Sequence, residues 1–544
     1  MQTGYTGFVD RSEWWWTTIV SLTFILAAFV PFLLLVFINP VTSDTQFMGA
    51  LHDVEDSAAN IARMQQGADG ALLVDTLYST PEQKTALIGI TYVLLGKLGS
   101  EMELAQNILF HMMRIFVGLF MYLTIYHLGA NIWVKVRTRR IFFVVASCSA
   151  GLGWVFALVT GGQSEWLIPD LHLPQAFPIY ASAANVHYPL AIACVALIVS
   201  TIITVLRPGE TIAPSPKNGG GLVFFASLVL ALVYPEAFIP LSIAYALNVA
   251  FNWYQNKKIT PREWYWGLWI LVPSLPIITY NLLTIPDNPM IANWITHRAI
   301  NDTPIWLLVI SFSIPLALAF PALVRAVRRF EADGDRFMLL WLLAMVITAY
   351  LPIALKQYLL MGIMIPLGYF ITRAIEDVWF NFIRRRFRPS AYIMFIPVLV
   401  MSHIFWMFLP IYPILQDWQN YSNVFFAREY SNTLIEIDLQ ASEDSVILAS
   451  PDVSLWIPAW TGLRVVYGHP AETFNAQETE QAVRAWFAET NPDAEGCQAL
   501  LAEHNVNLVI YGPREWSLGT AACIQNLELR QSYGQVEIYA VTDP

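Results

Sequence analysis

The chain reads as a polytopic α-helical membrane protein with a small α/β domain at its C-terminal end. Three observations lead to that fold class. Of its 544 residues 56% are hydrophobic and only 13% charged, whereas an ordinary soluble domain carries about 25% charged residues. Windows of about 19 residues return about eleven apolar runs, each long enough to cross about 30 Å of hydrocarbon as a helix. Near residue 425 the pattern then changes from long apolar runs to short β-rich runs between helical stretches.

The expected spans lie near 15–38, 104–128, 140–160, 186–206, 221–234, 237–254, 264–284, 304–326, 338–355, 357–375 and 390–414. Basic residues orient them. Lys135, Arg137, Arg139 and Arg140 share one connection, Arg207 and Lys217 the next such connection, and Lys257, Lys258 and Arg262 a third. Arg325, Arg328 and Arg329 follow, and then Arg384 to Arg386 with Arg388. These fall in alternate loops, which places those loops and the N-terminus in the cytoplasm and everything after the last span outside. The first span follows Trp14, Trp15 and Trp16, which suit an interface, and is too long for a cleaved h-region, so it is expected to be an anchor in the plasma membrane.

The formal net charge of −11 argues against nucleic acid as a partner, and the basic residues present are accounted for by topology. Cys148 and Cys194 fall within expected spans and read as small apolar residues. Cys497 and Cys523 fall in the outer tail, where a disulfide between them is open to either outcome. No zinc-spaced Cys/His cluster occurs, so no structural metal is assigned. Gly219 to Gly221 lies on the cytoplasmic side and lacks the Lys and Ser/Thr of a phosphate loop.

The two expected modules are a membrane module, 1–424, with a long first outer loop at 39–103, and an extracytoplasmic α/β domain, 425–544. Within the tail, strands are expected at Ser445 to Ala449, Arg464 to Tyr467, Leu508 to Tyr511 and Glu537 to Val541, and helices at Glu478 to Glu489 and Cys497 to His504. The topology puts most polar groups capable of chemistry on the outer face. The first loop holds Asp44, Asp53, Glu55, Asp56, Asp69 and Asp75, and its apolar stretch from Thr85 to Leu98 is expected to lie along the membrane, since a crossing there would break the parity. Other outer groups are Glu165, Asp170, His172 and His187, then Glu236 after Tyr234-Pro235, then Asp287, His297, Arg298 and Asp302, and lastly Lys356 and Gln357.

The acids Asp53, Glu55 and Asp56 form the densest charge beside the membrane. On a helix Asp53 and Asp56 would share a face, and Glu55 would point about 100° away from Asp56. Like charges so close raise one another's pKa, which suits a general base near neutrality. A solvated acidic loop is the plainer alternative, and Arg63, seven residues on, offers Asp56 an ordinary ion pair.

At this point the chain resembles the GT-C superfamily of polyprenyl-phosphate-dependent glycosyltransferases, in particular the protein O-mannosyltransferases, the lipid A aminoarabinose transferase and uncharacterised bacterial members. The resemblance rests on Glu55-Asp56 with Asn60, Ala62-Arg63-Met64 and Gly67, and on Gly151-Leu152-Gly153-Trp154. It extends to Asn185 through Leu190, to the run from Tyr350 through Lys356 to Pro366 and Leu367, and to three tail motifs. Those motifs are Ser450-Pro451-Asp452, Tyr467-Gly468-His469-Pro470 and Tyr511-Gly512-Pro513-Arg514. The chain departs from the family in the order Glu-Asp, in having Asn60 where an aromatic residue is common, and in having Lys356-Gln357 where an arginine is expected.

The resemblance implies an integral membrane enzyme that moves a sugar from a polyprenyl-phosphate donor to a glycan, lipid or protein acceptor at the outer face. Asp56 is then the base, with Asp53 or Glu55 assisting or holding a divalent ion. Lys356 and Arg298 are the cations to meet the donor phosphate, with His187 and Glu236 as further substrate-binding candidates. Interfacial snorkelling is the plainer role for both cations, and a helix-start cap for His187. Two other classes remain open at this stage. One is a lipid or solute transporter, which calls for mid-membrane charges, broken helices and internal repeats; the other is a non-catalytic scaffold whose outer domain binds a partner.

Overall fold

The computed structural model describes residues 7–38, 44–161, 167–206, 216–258, 260–288, 291–293, 303–331, 334–351, 356–411, 414 and 424–541. The chain divides into two compact units. The first comprises Met1–Phe29, Met113–Leu282 and Ala299–Leu409, and the second Val30–Met112, Leu283–Arg298 and Pro410–Pro544. The first loop and the tail thus belong to one unit.

The helical unit is built from apolar segments that coincide with the expected runs. Among the described residues four helices qualify as spans by length and composition, Arg11–Ile38, Gln106–Ile132, Val136–Val159 and His187–Val205, the first two running on into the second unit. Two bent pairs, Pro261–Leu271 with Leu275–Thr284 and Ile305–Ser311 with Ser313–Arg329, bring the total to six if each is one span. The pairs turn by 47° and 87° at their breaks, and Pro273 sits in the first break, where a ring without an N–H cannot continue the helix. Pro216–Val233 and Arg388–Phe408 are further apolar helices.

The third of these spans is itself interrupted, since Val136–Cys148 ends before Gly153–Val159 begins. Backbone groups freed inside an apolar layer must find partners, and here they do. Ala150 N–H donates to Leu399 O at 2.8 Å and Leu152 N–H to Ile310 O at 3.1 Å. Gly153 N–H donates to Asp170 Oδ2 at 3.0 Å, and Ser402 Oγ donates toward Gly151 O at 3.0 Å and Asp170 Oδ2 at 2.7 Å. A Cβ on Gly151 would lie 2.3 Å from Ser311 O, so the segments close only on glycine. The Gly151-Leu152-Gly153 motif is therefore explained by packing.

In the second unit the helix Val54–Ala68 lies against the helix Ile90–Glu101. The latter, at 12 residues, is too short to span. Two glycines set their approach: a Cβ on Gly67 would meet Val93 O at 2.1 Å, and one on Gly96 would meet Met64 O at 1.8 Å. The short strand β1 (Thr45–Phe47) pairs antiparallel with β2 (Phe425–Ala427).

The larger sheet contains β3 (Val446–Leu448), β4 (Arg464–Val465), β5 (Leu508–Tyr511), β6 (Glu528–Tyr533) and β7 (Val536–Ala540), in the order β4-β3-β5-β7-β6. β3 is parallel to β4 and to β5, whereas β5-β7 and β7-β6 are antiparallel. The β4 edge is extended by the first loop, because Val465 N–H donates to Leu77 O at 2.9 Å. Val446, Leu448 and Val509 are buried beside Trp486, Phe487, Leu500 and Leu501 of the flanking helices Ala476–Ala488 and Glu495–Glu503. Cys497 and Cys523 form a disulfide within that core, with Cα atoms 5.3 Å apart. Cys148 and Cys194 are free and buried.

The parallel strands put all three tail motifs on one edge of the sheet. Ser450 follows β3, Tyr467-Gly468-His469 follows β4 and Gly512-Pro513-Arg514 follows β5. The loops after β3 and β5 are bolted together by Glu515, a wholly buried acid that accepts from Ser450 N at 2.9 Å, Ser450 Oγ at 2.5 Å and Tyr430 OH at 2.6 Å. A Gly96→Ala change is expected to force the two first-loop helices apart and cost about 1–3 kcal/mol. Thermal unfolding of the solubilised protein would show it as a lowered midpoint, and an unchanged midpoint would mean that the helices part freely.

Candidate active site

The acidic triplet is arranged differently from a continuous helical face. Asp53 precedes the helix as its N-terminal boundary residue in the left-handed conformation, φ 54° and ψ 47°, so the face that a helix through both Asp53 and Asp56 would give does not form. An aspartate tolerates that conformation better than most side chains do. Glu55 and Asp56 lie in the first turn of Val54–Ala68, where the positive end of the helix favours carboxylates.

What Asp56 faces comes from the tail. Its Oδ1 is 3.7 Å from His469 Nε2, with 34% of the Asp56 side chain accessible against 2% for His469. The histidine is thus a buried support under an open carboxylate. Its loop is tied down at several points: Thr473 Oγ1 donates to Tyr78 O at 2.8 Å, and Thr473 N–H donates to His469 O at 2.9 Å. Gly468 is required by close approach, since a Cβ there would lie 2.7 Å from Ser454 O and 2.8 Å from the Tyr78 ring. Two backbone donors meet the far side of the imidazole, Ala471 N–H at 3.0 Å and Glu472 N–H at 3.2 Å, both to Nδ1.

The same helix makes a second connection two turns further on. Arg63 pairs with Glu472 rather than serving Asp56, and its other amino group donates to Asn60 Oδ1 at 3.0 Å. Thr76 Oγ1 donates to the second oxygen of Glu472 at 3.0 Å. Asn60, out of place by the family pattern, here orients an arginine. Around this pair Arg464 binds Asp75 Oδ2 at 2.8 Å and the carbonyls of Thr76 and Ser79 at 2.8 and 2.6 Å.

The electrostatics follow from these contacts. For Glu472, burial favours the neutral acid, but Arg63 and then His469 outweigh it and hold the carboxyl below its ordinary value. Glu55 is raised, chiefly by loss of water around it, with Asp56 and Glu480 adding and His469 opposing. For His469, burial opposes protonation while Asp56, Glu472 and Glu55 favour it and raise the ring's affinity for a proton. Against that, two N–H groups aimed at Nδ1 leave that nitrogen an acceptor. The ring proton is assigned to Nε2 on those two donors.

The candidates Lys356, His187 and Glu236 belong to the helical unit. Lys356 opens the 3-10 turn Lys356–Leu360, and Glu236 lies in the turn Pro235–Ala237, which packs against it. Tyr234 OH donates to Tyr358 O at 3.1 Å. His187 is the first residue of its helix, with its ring centroid 3.9 Å from that of Tyr188, and Tyr188 is in turn 6.3 Å from Tyr234. These three candidates therefore sit on connected elements. Arg298, with Glu165, Arg207, His297 and Asp302, lies outside the described residues. Among the described residues no three His, Cys, Asp or Glu side chains are placed to hold one metal ion.

His469 and Glu472 are the site residues that sequence reasoning missed. The motif Tyr467-Gly468-His469-Pro470 was visible, but nothing in its spacing pointed to the acids of the first loop.

The comparisons agree with this architecture. The transferase ArnT from Cupriavidus metallidurans, solved with undecaprenyl phosphate, matches over 98% of both chains with a TM-score of 0.52 and 11% identity. The oligosaccharyltransferase of Archaeoglobus fulgidus, solved with zinc and sulfate, matches 96% of this chain and 73% of its own with a TM-score of 0.52 and 11% identity. The mycobacterial arabinofuranosyltransferase AftD matches 98% of this chain but 40% of its own, with a TM-score of 0.51 and 13% identity. No family model and no curated protein matches the sequence. The chain is a helical membrane protein with the fold of the GT-C glycosyltransferases.

Replacing Arg63 alone by Met leaves Glu472 buried without its partner and is expected to cost about 3–5 kcal/mol, whereas the double change R63M/E472L recovers most of that loss. Thermal unfolding of the two variants checks it. Because the folded pKa of Glu472 is depressed, its contribution is complete above the ordinary value of 4.5 and is lost as the pH falls through the lower folded value. Glu472→Gln should therefore flatten the acid side of the stability curve.

Proposed function

We propose that the protein is a membrane glycosyltransferase that transfers a sugar from a polyprenyl-phosphate donor to an acceptor hydroxyl at the outer face of the plasma membrane, with the N-terminus in the cytoplasm. The observation that carries this reading is an open carboxylate, Asp56, in the first loop of a GT-C fold, backed by a buried imidazole. The solved protein of similar fold that spans the same length holds undecaprenyl phosphate, which supports a polyprenyl carrier. The Cys497–Cys523 disulfide supports an oxidising, extracytoplasmic location for the tail.

In the proposed reaction Asp56 accepts the acceptor's proton as the hydroxyl oxygen bonds to the anomeric carbon. The bond from that carbon to the phosphate oxygen breaks, and the polyprenyl phosphate leaves with the electron pair. Glu55, whose proton affinity is raised, and Asp53 flank the base. Lys356, with Arg298, is proposed to meet the negative charge developing on the phosphate, and His187 and Glu236 to line the donor side. The tail is proposed to complete the site by holding the first loop, and the acceptor class, whether glycan, lipid or protein, is left to assay.

Asp56→Asn is expected to lower transfer by about 100- to 10,000-fold, the range for loss of a general base. It would be measured as release of undecaprenyl phosphate from a panel of undecaprenyl-phosphate-linked hexoses and pentoses in proteoliposomes. Full transfer by this variant would remove Asp56 as the base. Labelling of a cysteine placed at position 53 with an impermeant reagent should succeed from outside intact cells, and labelling only from the cytoplasmic side would overturn the proposed orientation.

A further inference from the structure

The buried histidine has a more specific role, one that rests on the reading of Asp56 as base. His469 is 2% accessible and comes from the loop after β4. Its Nδ1 is occupied by two backbone N–H donors of its own loop, at 3.0 and 3.2 Å. Its Nε2 lies 3.7 Å from Asp56 Oδ1. The ring edge is fixed by Tyr78, whose centroid is 5.6 Å away and whose hydroxyl donates to Leu455 O at 2.9 Å. The loop that carries it is fastened to the base's own helix by the Arg63–Glu472 pair.

We propose that His469 is a positioning residue that fixes the Asp56 carboxylate through an Nε2–H directed at Oδ1, and that it does not relay the proton Asp56 collects. The distinction follows from the ring's two nitrogens. To take a proton from Asp56, Nε2 would need a lone pair, which requires the ring proton on Nδ1, and the imidazolium formed by the transfer carries that Nδ1 proton as well. Either state sets an Nδ1–H against the N–H groups of Ala471 and Glu472, three donors with no acceptor among them. The tail loop thus supplies a donor of fixed direction, and the collected proton leaves Asp56 by another path.

The charged and titratable groups facing this pair are Glu55 from the first-loop helix, Glu472 and Arg63 beneath it, Tyr78 beside the ring, and Tyr467 and Glu480 beyond Glu55. Tyr467 OH donates to Glu480 Oε2 at 2.9 Å. Removing the Nε2–H donor from this mostly acidic surround makes the Asp56 carboxylate harder to keep ionised. The acid limb of the rate profile should then move to higher pH.

The test compares His469→Ala, His469→Gln and Asp56→Asn in the full chain in proteoliposomes, with the same undecaprenyl-phosphate-sugar panel across pH. His469→Ala is expected to lower kcat about 10- to 100-fold at unchanged KM and to shift the acid limb upward, while His469→Gln, which keeps an N–H donor at similar reach, stays within about threefold. An inactive Asp56→Asn beside a His469→Ala variant with unchanged kcat and acid limb overturns the positioning role, whereas an active Asp56→Asn overturns the base assignment instead. A second measurement needs no turnover: nitrogen-15 spectra of histidine-labelled protein, with the His469 signals identified by their loss in His469→Gln. A proton on Nε2 with a bare Nδ1 at neutral pH is expected, and a proton on Nδ1 sinks the proposal.

Discussion

One face of one short helix depends on one loop of the tail. Asp56 and Arg63 are seven residues apart, which on an α-helix brings them to nearly the same angular position two turns apart. That face meets the loop 467–473 twice, acid to imidazole and guanidinium to carboxylate, with opposite polarity at the two points. The interaction is not a source of large net stability, because desolvating an arginine and a glutamate costs about what their attraction returns. Its consequence is specificity of register. A helix displaced by one turn would bury Arg63 away from Glu472 and strand both charges, so the carboxylate of Asp56 is held at one height and one rotation.

The sheet of the tail supports this from an unusual direction. Ligands of open α/β sheets bind beyond the carboxyl ends of the parallel strands, at the point where the connections diverge. Here that edge is occupied by the protein itself. Glu515 closes the gap between the loops after β3 and β5 through Ser450 and Tyr430, and the loop after β4 receives the first-loop segment around Tyr78. The position where an isolated domain of this type would recognise a small molecule is used to recognise another part of the same chain. The three tail motifs that carried the resemblance are thus accounted for, two by packing within the sheet edge and one by its place beside Asp56.

The fold persists where sequence similarity has gone, with 11% identity to a solved transferase across nearly all of both chains. Within this chain, close backbone approach fixes certain positions outright. Gly67, Gly96 and Gly151 each stand where a Cβ would lie 2.3 Å or less from a carbonyl oxygen, so these positions admit no side chain, while the apolar residues around them can exchange freely. The interrupted span shows the same economy of constraint, since its freed backbone groups are met by Asp170, Ser402 and the carbonyls of Leu399 and Ile310.

The sequence by itself determined the membrane class, because 13% charge and long apolar runs leave a chain no soluble alternative. It also located the helices that begin near Arg11, Gln106 and His187 and the strand Leu508–Tyr511, whose patterns are local. It missed β6, whose residues Glu528 to Tyr533 are mostly exposed and carry no alternating apolar signal. It could not mark where an apolar run breaks, since hydropathy averages across a break that a proline or an 87° bend makes. It left open whether Asp53 belongs to the helix, because propensity does not register a left-handed boundary residue. Only the tertiary structure decided the partners of the acids. A buried imidazole beneath Asp56 and a carboxylate beside Arg63 arise from residues hundreds of positions away, and charge pairing across such a distance leaves no periodicity, spacing or composition in the chain by which it could be read.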